Sequence, residues 1–398
     1  MNAATPRILD TRQDAATHRA GWVVAAPDRI IRNGCVAAAD GRIIAVGPRA
    51  AMPAGLPVQD HGPGTLMPLL INAHTHLELS ALAGRLPLDR GFRFWVRRLM
   101  AERAALSPKA LVDAAKEGID ALAAGGCGVT AEVSTLGLTW EPLRDSGLSG
   151  VWFREFLGNP PAGTEAALPD STPLLTAAAA GHGPHTTDPA FLRRLKTTAR
   201  RGGRPFSIHL GESEDEQDFL TTGKGAWADF LTERGIDFSG WPLPADGPVP
   251  YADRLGILDA GTLAVHLIHA GPGDFDILRE RGVHVCLCPR SNRNLHGRLP
   301  DLPGMLDAGL APCLGTDSLA GTESLSIRDE MAFSARAYPG VPPETILAMA
   351  TRNAAAALHL SDQFGSLAPG KSAGIQYLPA TAPTPSALME RIVHDPTT

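Results

Sequence analysis

The sequence predicts an α/β protein: a (β/α)8 TIM-type barrel with a small discontinuous β-sandwich domain contributed by both termini. Three observations carry this. From about residue 21 to 65, "GWVVAAP", "RIIRNGCVAAADGRIIAVG" and "VQDHGPGTLMP" are short β-branched runs broken by Asp-Gly and Pro-Gly turns, the pattern of antiparallel hairpins. After residue 70, short apolar runs alternate with helical stretches, the texture of βα repetition. The tail returns to short β-type runs in "FGSLAPGKSAGIQYLP", which can rejoin the first hairpins. The expected division is 1–68 for the first part of the small domain, 69–360 for the barrel and 361–398 for the returning part.

The elements follow in order. Candidate barrel strands are "LLINAHTH", "GVTAEVS", "VWFREFLG", "AAAAGHGPH", "PFSIHLGE", "LAVHLIHA", "HVCLCPRS" and "APCLGTDS", the number that closes such a barrel. Between the first two, "SPKALVDAAKEGIDALAAGG" reads as a helix opened by a Ser cap and closed at Gly125-Gly126. Residues 218–250 are long for a βα connection, and long loops on such scaffolds tend to cover the site.

Composition narrows the function. A chain of 398 residues with 44% apolar content is ample for a large core plus a smaller partner domain. The formal charge of -6 has no long single-sign block, so a small-molecule substrate is expected and nucleic acid or an acidic membrane surface is not. No window reaches the roughly 18 consecutive apolar residues of a membrane helix, and the first twenty residues lack a secretory core, which predicts a cytoplasmic protein. The five cysteines, Cys35, Cys127, Cys286, Cys288 and Cys313, sit mostly in apolar runs and are expected as buried reduced thiols. Oligomeric state is left open, a homo-oligomer included.

Polar residues gather at the ends of the candidate strands. His74 and His76 are two apart, so a strand turns both to one side, where two nitrogens can meet one ion. Incidental, hydrogen-bonded imidazoles are the bland alternative. His209, His266 and Asp317 end three further strands, and all such ends open on one face of a parallel barrel. Neutral imidazoles with a carboxylate are a ligand set for zinc or ferrous iron, with an open position for water.

In that order, "GTLMPLLINAHTHLE", "HLGES", "AVHLIHA", "CPRSN", "LGTDSLA" and "GSLAPGKSAGI" resemble the motifs of the amidohydrolase superfamily, in the branch of adenosine, guanine and cytosine deaminases and triazine hydrolases. The resemblance implies one divalent metal ion, zinc first with iron or manganese as alternatives, on His74, His76, His209 and Asp317. It implies proton handling by Glu212 and His266, with Asp317 passing a proton to the departing ammonia. One ion is expected because the fourth strand end, "AAAAGHGPH", has neither the lysine nor the glutamate of binuclear members. Two departures are visible. Leu69 follows Pro68 where a glycine is usual, and Gly374 stands where an aspartate is usual.

Substrate contacts are expected from Trp95 in "FRFWVRRL" and His185 in "GHGPHTT", by resemblance to pocket-lining segments of the family. Arg154 and Arg290 are candidates to clamp a carboxylate through a bidentate guanidinium. "HTHLELS" with "CPRSN" is most similar to aminodeoxyfutalosine deaminases of the menaquinone route. Deamination of S-adenosylhomocysteine, methylthioadenosine or adenosine is the alternative, followed by guanine deamination, triazine hydrolysis and cyclic amide hydrolysis. His76-Leu77-Glu78 also fits the H-x-E of cytidine-deaminase zinc folds, but Pro312-Cys313-Leu314-Gly315-Thr316 lacks the second cysteine of their half-site. Glu78 is left with three roles: orienting a ligand, bonding substrate, or closing a strand end. A barrel kept as a non-enzymatic scaffold is the reading from another class, and the intact ligand set speaks against it.

Overall fold

Eight parallel strands make the barrel in chain order: Leu70–Thr75, Cys127–Ser134, Ser149–Phe156, Leu175–Gly181, Phe206–Leu210, Thr262–His266, His284–Leu287 and Cys313–Leu314. The structure, a computed structural model, describes residues 6–9, 11, 15–160 and 167–397. The opening residues 1–5, part of the stretch without a secretory core, lie outside these. Thr75 bridges Asp317 in parallel, and the Thr316 and Asp317 amides both donate to the His74 carbonyl at 3.0 Å, so the eighth strand returns to the first. No described helix is long and apolar enough to cross a membrane.

Strand parity sorts side chains between two cores. Val151 and Phe153 point into the barrel with Val129, Ala131, Ala178 and Val265, while Trp152 packs outside with Ala115 and Leu143. Each such fully buried large side chain contributes about 1.5–3 kcal/mol. The helix Pro108–Ala124 opens where expected, with Ser107 Oγ accepting from the Ala110 amide, and ends at Gly125. All five cysteines are buried free thiols.

The small domain is two sheets. One runs in the order Arg7–Ile8, Ile375–Leu378, Thr65–Pro68, Trp22–Ala26, Arg29–Arg32; the other in the order Arg42–Pro48, Gly34–Ala39, Ala16–Arg19, Val58–Asp60. Asp40 and Gly41 take positive φ (49° and 69°) in the hairpin turn, as an Asp-Gly pair can. Val23, Val36, Ile43, Leu66, Ile375 and Tyr377 fill the space between the sheets. Of the tail expected to complete this domain, Ile375–Leu378 pairs in it. Helix Pro385–His394 instead packs Leu388, Met389, Ile392 and Val393 among the barrel's outer residues, beside Ile327, Met331 and Ile346.

The stretch 218–250 is not an irregular loop. It holds helix Ala226–Glu233 and runs into helix Pro248–Arg254, because "AWADFLTE" places Trp227, Ala228 and Leu231 on one buried face.

Candidate active site

His74, at the end of the first strand, is fully buried, and neither of its ring nitrogens has a hydrogen-bond partner. Burial first, then crowding by His76, His209 and His266, pushes it well below the usual imidazole range. It is therefore neutral, the form that binds metal. His76 and His209 are oriented by their far nitrogens: Nδ1 of His76 donates to the Val133 carbonyl at 3.0 Å, and Nδ1 of His209 to the His182 carbonyl at 2.7 Å. With those tautomers their Nε2 atoms, 3.3 Å apart, are left facing each other and free to share a cation. Asp317 Oδ1 lies 3.8 Å from His76 Nε2 and 4.0 Å from His74 Nε2, and its Oδ2 accepts from Ser291 Oγ at 2.6 Å. Three imidazoles and a carboxylate with orphaned buried nitrogens fit one divalent ion. Glu155, His182 and His209 form a second close group. There His209 Nδ1 lies 3.6 Å from Glu155 Oε1 but is already committed to the His182 carbonyl.

Glu212, two residues past the fifth strand, sits between two imidazoles: Oε1 is 3.3 Å from His296 Nε2 and 3.8 Å from His266 Nε2. Burial alone would raise this carboxyl, but His266, His296 and His209 outweigh it and hold it well below the usual carboxylate range. His266 donates from Nδ1 to Asn292 Oδ1 at 2.9 Å, which aims Nε2 at the cavity; burial lowers its pKa. His266 (φ 78°) and Asp317 (φ 59°) both hold the left-handed backbone region that side-chain-bearing residues rarely take. Strain of this kind clusters at active sites and ligand clamps.

The cavity above is walled by apolar side chains, including Leu79, Trp95, Leu99, Trp227 and Phe230. Trp95 lines it, anchored by Nε1 donating to the Ala320 carbonyl at 3.0 Å. His185 lines it too, with Nδ1 unpartnered, 3.6 Å from Glu216 Oε1, and its ring against Trp227. Arg154 and Arg290 do not, and the expected carboxylate clamp at these positions is corrected. Arg154 shares strand parity with the outward Trp152 and lies over Phe156 on the barrel's outer side. Arg290 spends its donors inside the protein, Nε on Glu330 Oε1 at 2.8 Å, Nη1 on Ser324 Oγ at 3.0 Å and Nη2 on the Ser324 carbonyl at 2.7 Å. Glu78 is a structural acceptor: Ser134 Oγ and the amides of Leu136 and Leu138 donate to it.

Sequence reading passed over Glu155 and His296. Glu155 has the inward parity of Val151 and Phe153, is buried, and its Oε1 has no hydrogen-bond partner, with His209 Nδ1 3.6 Å away. His296 is four residues after Asn292 on helix Pro289–His296, so one helix face supplies a partner to His266 and a partner to Glu212. Those periodicities were the available signals.

Comparison with known proteins decides the family: residues 162–389, more than half of the chain, match the amidohydrolase family. The chain belongs to that family. This amidohydrolase is accordingly a hydrolase acting on carbon–nitrogen bonds. It is similar to an aminodeoxyfutalosine deaminase of Deinococcus radiodurans (28% identity, 74% of this chain and 73% of that one). It is also similar to a 5-methylthioadenosine/S-adenosylhomocysteine deaminase of Moorella thermoacetica (30%, 87% and 81%). Among solved structures, a Helicobacter pylori aminofutalosine deaminase in complex with methylthio-coformycin superposes with TM-score 0.81 at 23% identity, covering 96% of each chain. A zinc-bound adenosine deaminase from Xanthomonas campestris gives 0.78 at 24%, covering 96% of this amidohydrolase and 89% of that chain. These two share its fold.

Proposed function

We propose that this amidohydrolase is a metal-dependent deaminase that replaces the 6-amino group of an adenine nucleoside with oxygen and releases ammonia. Aminodeoxyfutalosine is the first candidate substrate, which places the reaction in the menaquinone route; S-adenosylhomocysteine or methylthioadenosine is the second. The observation that carries the reading is the convergence of His74, His76, His209 and Asp317 on one point, with Glu212 and His266 beside it at the floor of an apolar cavity. Relatives of matching length bear deaminase names for these nucleosides.

His74, His76, His209 and Asp317 would hold a divalent ion, zinc first with iron or manganese as alternatives, which would lower the pKa of a bound water, toward ~7 for zinc. The chain's own groups do the rest. Glu212, held ionised by its two imidazoles, would accept one proton at its carboxylate from the attacking water and return it to the ring nitrogen beside the reacting carbon. His266, aimed by Asn292, hydrogen-bonds the attacking oxygen. Asp317 takes the second proton and delivers it to the leaving amine, so water and the amino nucleoside become the oxo nucleoside and ammonia. The apolar walls exclude bulk water and raise the worth of each polar contact.

The test is ammonia release from aminodeoxyfutalosine, S-adenosylhomocysteine, methylthioadenosine, adenosine, guanine, cytosine and a chlorotriazine. Fastest kcat/KM on an adenine nucleoside is expected. Turnover confined to guanine, cytosine or the triazine would reassign the substrate class.

A further inference from the structure

Helix Phe92–Ala104 turns one stripe to the cavity: Phe92, Trp95, Val96, Leu99, Met100 and Arg103. The spacing is that of a single helical face. Five of the six are apolar, and the sixth ends the stripe with a cation. At 1.5 Å per residue, Arg103 stands about 12 Å along the helix from Trp95. There the cavity meets an outer groove lined by Leu106, Leu136 and Leu138, and Arg103 and Met100 border both. Trp227, Phe230 and Leu157 form the facing wall.

Arg234 stands beside that end. Its Nη2 is 3.4 Å from Met100 Sδ, and its guanidinium lies 5.2 Å from the Phe230 ring centre. The neighbouring arginines are matched, Arg93 with Asp215, Arg97 with Glu233 and Arg98 with Glu102. Among the described residues, neither Arg103 nor Arg234 has a carboxylate within ion-pair distance. The local acids are already engaged, so two guanidiniums face the far end of an apolar wall with no protein anion to meet them.

We propose that Arg103, with Arg234 beside it, anchors a negative group at the end of the substrate remote from the reacting carbon. The site then selects an aminopurine nucleoside whose distal substituent is apolar or aromatic and ends in a carboxylate. This rests on the deaminase reading above and sharpens it. A carboxylate matches a guanidinium in a two-point fork, and the apolar lining weakens competition from water. An amino-acid tail fits less well, because its ammonium would lie against two guanidiniums with Glu233 and Glu102 both held by other arginines. The site therefore separates a carboxylated aromatic tail from a homocysteine tail.

The experiment measures kcat/KM of the wild type, Arg103→Met, Arg234→Met and Arg103→Lys on aminodeoxyfutalosine, S-adenosylhomocysteine and methylthioadenosine. Arg103→Met is expected to lower the value for the carboxylated aromatic nucleoside at least ten-fold more than for methylthioadenosine, chiefly through KM, with Arg103→Lys intermediate. Equal losses on both nucleosides, or no loss on either, would overturn the anchor. Calorimetric titration with 3-phenylpropionate and its neutral amide decides the point without turnover. The wild type should prefer the acid and Arg103→Met should lose the preference; a wild type that does not prefer it overturns the proposal. A wild type that deaminates none of the nucleosides yet keeps an Arg103-dependent preference for the acid supports the anchor and removes the deaminase reading.

Discussion

His296 Nε2 lies 3.3 Å from Glu212 Oε1, so the Glu212 carboxylate is held from the side by a histidine on a different βα unit. This pairing separates two roles. Glu212→Gln keeps the shape but cannot carry the proton, and is expected to lower kcat by a factor of ~10²–10⁴ with metal content unchanged. His296→Asn should cost about ten-fold, since it loosens the carboxylate without removing it. Steady-state rates with metal analysis on the same samples check both, and wild-type kcat in Glu212→Gln would remove it as the proton carrier.

Purified protein is expected to carry close to one equivalent of zinc, iron or manganese. His74→Ala should lose it, because His74 has no other partner for either ring nitrogen. Elemental analysis reads the ratio. Two ions per chain, with the second lost in Glu155→Gln, would show that His209 gives up its bond to the His182 carbonyl to bind metal.

Arg290→Leu should change stability and not selectivity. Its guanidinium pairs with Glu330, whose carboxyl is fully buried and pushed up to about 7, burial being the main cause. Removing the cation strands a buried acid, a loss of about 3–5 kcal/mol by urea unfolding. Relative kcat/KM among the three nucleosides should stay constant, and a selective loss on the carboxylated one would restore Arg290 as a substrate contact.

The two departures from the family pattern touch. A Cβ at Gly374 would lie 2.8 Å from Leu69 Cδ1, and the Leu69 amide donates to the Gly374 carbonyl at 3.2 Å. The larger residue at 69 occupies the room a side chain at 374 would need. Gly374→Asp alone should therefore destabilise by about 1–3 kcal/mol. Combined with Leu69→Gly, it should cost less than the two single changes summed. Additive unfolding free energies would show that the positions are independent.

Asp259 joins Lys196 at 2.5 Å and Arg200 at 2.7 Å. Its partial burial raises the carboxyl, but those two cations and the Gly261 amide pull it down to about 2. Because the folded value lies below the unfolded ~3.9, its stabilisation is complete above that pH and is lost as pH falls through about 2. Urea midpoints measured from pH 5 to 2 should fall less steeply in Asp259→Asn than in the wild type. Parallel curves would mean that the pair contributes nothing to acid stability.

The barrel and the gathering of polar strand ends were legible because both rest on local periodicity; the choice of four candidate ligands among them came from the family resemblance. Runs of apolar residues ending in His74, His76, His209, His266 and Asp317 mark parallel strands, and a parallel barrel brings such ends to one face whatever the intervening helices do. Trp95 and His185 were readable as pocket residues only by resemblance, and the structure places both at the cavity. Residues 218–250 read as a long connection that could cover the site, yet within them Trp227, Ala228 and Leu231 bury one helix face.

What the chain's order alone determined is the kind of fold and which imidazoles and carboxylates gather at one end of it, since strand ends are defined by neighbouring residues. Which arginines the protein itself engages was decided by tertiary structure. A guanidinium reaches far, and its direction depends on partners distant in the chain: Glu330 and Ser324 take Arg290, the outer side of the barrel takes Arg154, and Arg103 keeps no such partner among the described residues. The same holds for His296, whose place beside Glu212 exists only once two βα units 84 residues apart are packed side by side.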